Sequence, residues 1–470
     1  MDSFHQKYES AFTARYASEE MSYLFSQESK ILLFRRLWIA LAKAQKALGL
    51  SICDTQIAQM EKALPILDFA KFALYEKKFR HDVFAHIHAF GEECPEAKPI
   101  IHLGATSCYV TDNADLIQCK TALQMLLSKL AQAIKLLASF AEAQAKTPCL
   151  SYTHFQSAQP TTMGKRACLW LQDLFLDAQD WQRIFENFSF LGAKGATGTQ
   201  SSFLSLFEGD SKKVVAMEAL IAKEFGFTNI LPIAGQTYTR KIDCNLFHAF
   251  ASFAASAHKI GTDIRLLAHD GELFESQSPS QVGSSAMPYK RNPIYAERVC
   301  GLSRFVISLA QNPAYTLATQ WLERSLDDSS NRRICLPEAF LGVDAILNLL
   351  IHLFSHLQIS STTCLERLEQ EMPAMIMENI LMQAVKKGGD RQELHEKLRL
   401  LSKEPLKNFV MSVAADLSFG LNQEEIASVS SISALIGRAP EQVSEFLEKD
   451  IFPYLSRWKN VNVNHSIVEF

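Results

Sequence analysis

The most informative part of this sequence is residues 283–293, where side chains that can bind charge or move protons are concentrated. Two hydroxyl residues, Ser284 and Ser285, are followed by Lys290 and Asn292. A glycine and two prolines bracket them. Because glycine loosens the backbone and proline fixes φ, the segment predicts a shaped loop with hinges. Its donors suit a carboxylate ligand, although a polar surface turn has a similar composition.

A second candidate is His154, which lies in the polar stretch 151–160, next to Thr153. This stretch is predicted to precede a helix, and the histidine is not part of an apolar stripe. A histidine in such surroundings can act as a general acid or base near neutral pH. The alternative is an exposed histidine without a role, which we expect for most of the 13 histidines of the chain.

Two further segments contain groups that can bind anions. In residues 104–113, Thr106 and Ser107 precede an Asp-Asn pair, which predicts a helix N-terminus. The free N–H groups there can hold a carboxylate, or the hydroxyls can simply cap the helix. Residues 323–333 include Arg324 and Arg333, whose guanidinium groups suit phosphate and carboxylate. A run of charges more often marks a solvated face.

The tripeptide Arg80-His81-Asp82 suggests a histidine that is oriented by a neighbouring carboxylate. The two histidines that follow it, at positions 86 and 88, would point to opposite sides of a helix. We therefore expect no metal site in this segment.

Several absences limit the chemistry further. The sequence lacks G-x-x-x-x-G-K-[ST], a dinucleotide-binding fingerprint, H-E-x-x-H and G-x-S-x-G, which leaves non-redox chemistry by side chains, with no cofactor expected. The ten cysteines show no metal-binding spacing and indicate reduced thiols of a cytoplasmic protein. The net charge of −4 favours neither nucleic acid nor an anionic membrane as a partner. No uninterrupted apolar run is long enough to predict a membrane span, and no signal-peptide core is visible.

The elements that must position these residues are helices. Apolar residues recur at helical spacing in segments 31–50, 123–146, 166–186, 243–269 and 336–358. Only 19 glycines and 15 prolines occur in 470 residues, so few turns and long helices are expected. The length predicts more than one domain, and the broad apolar arcs predict an all-α bundle that also buries a face against other subunits.

Residues 283–293 resemble the signature G-S-S-x-M-P-x-K-x-N-P of the fumarase/aspartase superfamily over its full length. Segments 15–18, 80–83, 153–156, 235–238 and 323–333 resemble the branch that splits succinylated purine nucleotides and releases fumarate. The resemblance covers roughly residues 10–400, recurs near 436–455 and is weakest around 403–435. One departure is Tyr295-Ala296, where the branch has an Arg-Ser pair. The argininosuccinate-cleaving branch is the alternative.

The resemblance implies residue roles. Ser284 would be the general base, activated by Lys290. His154 would be the general acid, and His81 would support His154 or the phosphate. The remaining residues would bind substrate: Lys290, Asn292, Thr106 and Ser107 at the succinyl carboxylates; Arg15, Tyr16, Arg324, Ser329 and Arg333 at the phosphate and ribose; Arg298 and Gln236 along the site, with Arg80, Asp82, Thr153 and Ser285 beside it.

The resemblance also implies an architecture. It is an all-α fold of three domains, with limits at residues 1–106, 107–359 and 360–470. The central domain would be a long-helix bundle that assembles into a homotetramer, and each active site would be shared between subunits. A helical scaffold without activity is the remaining alternative, although the chain keeps Ser284, Lys290 and His154 together.

Overall fold

The computed structural model describes residues 8–276, 287 and 289–458, and this part of the chain is built mostly of α-helices. The N-terminal part opens with a π-helical turn at Phe12–Tyr16 and closes with a 3-10 turn at Lys98–Ile100. Between these turns lie α1 Glu19–Leu24, α2 Gln27–Ala47, α3 Asp54–Ala63, α4 Phe69–Phe79 and α5 Asp82–Glu93. Two of these helices begin at serines: the hydroxyls of Ser18 and Ser26 accept N–H groups from the first turns of α1 and α2.

Long helices form the centre of the molecule. They are α6 Ser107–Ala143, α7 Met163–Glu186, α10 Lys241–His269, α11 Ile294–Leu309 and α13 Asp327–Ser355, with the shorter α8 Ser201–Leu206, α9 Ser211–Glu224 and α12 Asn312–Thr319 between them in sequence. Helix α6, with 37 residues, is roughly 55 Å long. It packs against α7 and α13, while α10 packs against α7, α11 and α13. The predicted helical segments all fall largely within these helices and α2, so the all-α prediction is confirmed.

Helix α13 accounts for the most apolar stretch of the chain. By length and composition it could cross a membrane, the one helix of the described residues for which this holds. Most of its apolar window is buried inside the protein, where Phe340, Ile346 and Leu350 are fully enclosed. A helix that is apolar around most of its circumference is the expected centre of a bundle. Its apolar character is therefore explained by core packing.

Short strand pairs join the helices in the described part of the chain. Strands β1 Pro148–Thr153 and β2 Gln156–Thr162 form an antiparallel hairpin, β3 Ser189–Phe190 pairs in parallel with β4 Asn229–Ile230, and β5 Leu273–Glu275 runs antiparallel to β6 Leu357–Ile359. The sequence predicted a polar stretch before a helix at residues 151–160 and gave no indication of the β1–β2 hairpin. These strands are mostly polar and half exposed, so they lack the apolar alternation that marks a strand.

The C-terminal part is a series of shorter helices with a small core of its own. The helices are α14 Ser361–Met375, α15 Met377–Lys386, α16 Arg391–Leu401, α17 Leu406–Ala415, α18 Gln423–Val429, α19 Ile432–Leu435, α20 Ala439–Phe446 and α21 Phe452–Leu455. Ile380, Phe409 and Phe419 are buried in this core, apart from the main one. The predicted domain limits fall at the start of α6 and at the end of β6, and the three-domain division stays a prediction.

Candidate active site

A cavity of about 350 Å³ between α2, α5, α6 and α13 contains several of the predicted nucleotide-binding residues. Arg324, Ser329 and Arg333 line it from α13 and the residues before it, and Asp82 lines it from the start of α5. We call this the arginine cavity. The predicted phosphate-binding side chains of residues 323–333 therefore face one common space.

Carboxylates already engage the arginines of this cavity. Arg324 pairs with Asp328, and Arg240 reaches the same Asp328 at 2.6 Å and Asp112 at 2.9 Å. Although burial raises the pKa of Asp328, Arg240 and Arg324 lower it more, so it stays below its usual value. Deeper in the protein, Arg332 pairs with acids of α6 and α10. The charged run is thus not simply a solvated face, because Asp328 and Arg332 are buried.

A second cavity, of about 430 Å³, lies at the N-terminus of α6. It is lined by His81, Thr106, Ser107 and Gln236, four predicted site residues, and by His102. Helix α6 begins after Thr106, as predicted, and the Thr106 hydroxyl makes no capping hydrogen bond. The first N–H groups of a helix carry partial positive charge, so this cavity suits a carboxylate. We call it the helix-terminus cavity.

The tripeptide Arg80-His81-Asp82 joins α4 to α5, and its residues make separate contacts. Arg80 ends α4 in the left-handed conformation, with φ of 52°. The Nδ1 atom of His81 accepts the N–H of Phe84 at 3.1 Å and so caps α5. Asp82 pairs with Arg333 at 2.6 Å. The expectation that Asp82 orients His81 is therefore wrong, because helix capping and the ion pair use these groups separately.

His102 is a residue of the helix-terminus cavity that the sequence analysis missed. Its Nδ1 atom accepts a hydrogen bond from Nε1 of Trp38 at 2.8 Å, so its Nε2 atom carries the proton when the ring is neutral. Burial, with a smaller contribution from the nearby His81, lowers the pKa of His102 to about 4. His102 is therefore an uncharged donor near neutral pH. The segment around it is apolar and gave no signal.

His154 lies at the tip of the β1–β2 hairpin. It and Phe155 form the two-residue turn with φ of 52° and 56°, a pair of left-handed residues typical of tight hairpins. His154 is exposed, and Thr153 precedes it at the end of β1. Neither lines the arginine cavity or the helix-terminus cavity of its own chain. The predicted general acid thus lies on an exposed hairpin turn.

The remaining predicted residues lie elsewhere. Lys290 is exposed, and the Asn292 carbonyl accepts the N–H of Ile294 at the start of α11. One turn further on, the Arg298 guanidinium lies 5.8 Å from the centre of the Tyr295 ring. Arg15, which is exposed, and Tyr16 end the π-helical turn that packs on α13, and neither lines the two cavities. Ser284 and Ser285 lie outside the described residues.

A single chain therefore brings the predicted residues together in separate groups. Between 8 and 458, leaving out the undescribed positions, no group of three or more His, Cys, Asp or Glu residues is arranged to hold a metal ion. All ten cysteines are free, and nine of them are buried. Proton transfer and anion binding are the chemistry that these side chains can supply.

Comparisons with known proteins agree with this fold. A family model described as "Lyase" matches residues 71–308, and one described as "Adenylosuccinate lyase C-terminus" matches residues 373–446. The fold resembles a 3-carboxy-cis,cis-muconate lactonizing enzyme from Pseudomonas putida, with a TM-score of 0.83, 22% identity, and coverage of 95% of this chain and 99% of that one. The chain is thus a lyase with the fold of the fumarase/aspartase superfamily.

Curated relatives narrow the assignment. An adenylosuccinate lyase of Schizosaccharomyces pombe is 45% identical over 97% of both chains. That of Schistosoma mansoni is 45% identical over 98% of both, and that of Saccharomyces cerevisiae is 45% identical over 95% of both. The chain belongs to the adenylosuccinate lyase family.

Proposed function

We infer that this enzyme breaks the C–N bond of adenylosuccinate by β-elimination and releases fumarate and AMP. The observation that carries this inference is the 45% identity to adenylosuccinate lyases over nearly the whole chain. The arginine cavity supports it, since a phosphorylated substrate needs converging guanidinium groups in a protein of net charge −4. The second substrate is succinylaminoimidazole-carboxamide ribotide, which carries the same succinylamine and phosphate.

In the proposed mechanism, Ser284 removes the proton from Cβ of the succinyl group. The electron pair of that C–H bond forms the double bond of fumarate as the C–N bond breaks, and His154 donates a proton to the leaving nitrogen. Proton removal next to a carboxylate builds up a dianionic aci-carboxylate, which requires preorganised donors and cations. A serine hydroxyl is a weak base at neutral pH, so Lys290 must assist its ionisation.

The succinyl carboxylates are proposed to bind at the helix-terminus cavity. Thr106 and Ser107 lie there at the start of α6, with Gln236 beside them. The amide of Gln236 donates to the Ala196 carbonyl at 3.0 Å and its backbone N–H to the Glu323 carbonyl at 3.1 Å. Gln236 thus connects this cavity to the segment that carries Arg324. One substrate could bind its carboxylates and its phosphate in these neighbouring places.

We further propose a cytoplasmic homotetramer whose active sites are shared between subunits. The separation of the residues within one chain supports this, because His154 is exposed on a hairpin turn, while Arg324 and Thr106 line two cavities that His154 does not line. An exposed turn is suited to complete a site on a neighbouring copy. Closed symmetric assemblies are the common form of soluble oligomers.

The alternative is argininosuccinate lyase activity, for which the arginine cavity would have no phosphate to bind. The test is to incubate the purified enzyme with each succinylated substrate and to follow fumarate and the second product. We expect fumarate and AMP from adenylosuccinate, and no fumarate from argininosuccinate. Fumarate from argininosuccinate alone would show that the inference is wrong.

A further inference from the structure

The carboxylate of Glu275 connects two segments that are 20 residues apart in sequence. Its Oε2 atom accepts the N–H of Tyr295 at 3.0 Å, and its Oε1 atom accepts the N–H of Ala296 at 2.7 Å. These N–H groups belong to the first turn of α11, which follows Pro293 and receives no side-chain cap from it. A distant carboxylate thus replaces the missing cap, and its negative charge suits the helix N-terminus.

Both partners of this contact are held in place. Glu275 ends β5 opposite Leu357 of β6, and the next residue, Ser276, donates its N–H to the His356 carbonyl at 3.1 Å. On the other side, Ala296 is fully buried, and Gly261 of α10 lets α11 approach closely. A Cβ atom at Gly261 would lie 3.0 Å from the Ala296 carbonyl oxygen. The first turn of α11 therefore has little freedom to shift while the Glu275 contact is intact.

Residues proposed to take part in the reaction lie on both sides of this turn. Asn292 is joined to it directly by the hydrogen bond from the Ile294 N–H to the Asn292 carbonyl, at 2.9 Å. Lys290 lies two residues earlier, and Arg298 lies one turn later on α11. A displacement of this turn would therefore move the side chains of Lys290, Asn292 and Arg298 together. Small misplacements of substrate-binding groups can lower rates strongly.

We propose that Glu275 is a positioning residue for the elimination: by accepting two N–H groups of α11, its carboxylate fixes the segment that carries Lys290, Asn292 and Arg298. The proposal rests on the function inferred above. None of these groups needs to contact Glu275, because the contact acts through the helix backbone. The Tyr295-Ala296 pair, which departs from the Arg-Ser of the family branch, supplies both N–H groups.

The surroundings of Glu275 make this contact sensitive to pH. The pKa of Glu275 is raised to about 7, because burial and the nearby Glu297 outweigh the N–H groups of Ala296 and Tyr295 and the charge of Arg298, which lower it. On α13, the ring of His352 lies 4.3 Å from that of Tyr295 and next to His356. Burial lowers the pKa of His352 to about 4, so this ring adds no positive charge near neutral pH. Protonation turns one of the two oxygens into a hydroxyl, which is a weaker acceptor, so the contact is strongest when Glu275 is ionised.

The test uses Glu275→Gln, which keeps the size of the side chain but leaves a single acceptor oxygen. We expect amide hydrogen exchange in peptides covering residues 294–300 to rise about tenfold or more. The matched control is Asp210→Asn, since Asp210 also accepts two helix N–H groups, at the start of α9. A single oxygen of Asp210, Oδ1, accepts both N–H groups and asparagine keeps it, so this variant should leave exchange at residues 294–300 unchanged. Exchange at 294–300 that equals the parent's would overturn the proposed contact.

Kinetics then decide whether the contact serves the reaction. We expect kcat of Glu275→Gln to fall about tenfold or more with KM changed less than about twofold, and Glu275→Asp to recover part of the loss. The rise in parental kcat as the pH passes about 7 should be reduced in the glutamine variant. Faster exchange with an unchanged kcat would show that Glu275 caps α11 but does not position residues for the reaction. A parent that releases no fumarate would instead refute the proposed function, while the exchange result still decides the contact.

Discussion

Arg333 on α13 donates from Nη2 to Oδ2 of Asp82, the first residue of α5, at 2.6 Å. This ion pair joins two helices across the arginine cavity and leaves the Arg333 side chain more than half exposed. Arg240, Arg324 and Arg332 in the same cavity also pair with carboxylates. A substrate phosphate must therefore share these guanidinium groups with acids of the protein, and it competes most readily for the exposed Arg333.

Replacement of Arg333 should weaken the binding of phosphorylated substrates. We expect Arg333→Ala to raise KM about tenfold, because a charge-assisted contact to phosphate is lost, with a smaller change in kcat. Added salt should raise KM more in the parent than in the variant, since exposed charges are screened. The control is Arg183→Ala, because Arg183 is also exposed and paired with an aspartate. An unchanged, salt-insensitive KM in Arg333→Ala would contradict a phosphate-binding role.

A shared active site predicts complementation between inactive variants. His154→Ala and Ser284→Ala should each be inactive, the first without the proton donor and the second without the base. If the two residues of one site come from different chains, dissociating and reassociating an equal mixture should restore about a quarter of the parental activity.

The same experiment with two variants of one residue provides the control. His154→Ala mixed with His154→Asn should recover nothing, because every site then lacks the acid. Subunit exchange is verified by mass spectrometry of labelled chains. Confirmed exchange without recovered activity in the His154 and Ser284 mixture would show that both residues of a site come from one chain.

The hairpin that carries His154 depends on the close approach of α7 to the end of α6. A Cβ atom on Gly164, in the first turn of α7, would lie 2.4 Å from the Ala141 carbonyl oxygen. We expect Gly164→Ala to destabilise the fold by about 1–3 kcal/mol and to lower kcat by displacing the hairpin. Gly301→Ala is the matched control, since Gly301 is also helical but a Cβ atom there would meet no atom of the described residues within 4 Å. Equal melting temperatures and activities of the two variants would contradict this expectation.

Asp177 on α7 predicts a pH-dependent stability. Burial raises the pKa of Asp177 to about 6, against hydrogen bonds from Ser256 and Ser252. Because the folded pKa lies above the unfolded one, the ionised aspartate is unfavourable above about pH 6, and this cost disappears as the pH falls toward about 4. Asp177→Asn should therefore stabilise the protein at about pH 8, by at most roughly 3 kcal/mol, and by roughly half as much at about pH 5.

Thermal unfolding at both pH values measures this difference. Asp180→Asn is the control, since Asp180 lies on the same helix in an exposed pair with Arg183. It should show the same small effect at both pH values. If the variant gains less stability over the parent at about pH 8 than at about pH 5, the raised pKa of Asp177 is contradicted.

The sequence by itself determined the features that arise from neighbouring residues. Helical spacing of apolar residues predicted the long helices, since a helix satisfies its own backbone within a few residues. The start of α6 at Thr106 was visible because small hydroxyl residues favour helix N-termini. The complete match of residues 283–293 to a known signature indicated the superfamily and the roles of Ser284 and Lys290.

Only the tertiary structure decided which of these residues meet. Arg324 and Arg333 share a cavity with Asp82, and His81 caps α5. His154 lies on a hairpin that could not be predicted, because its strands are polar and lack apolar alternation. The tertiary structure also revealed the hydrogen bonds of two further residues. His102 accepts one from Trp38, and Glu275 accepts from the backbone of α11. Burial and hydrogen bonds between distant segments set the pKa of a group, and neither is encoded in local spacing.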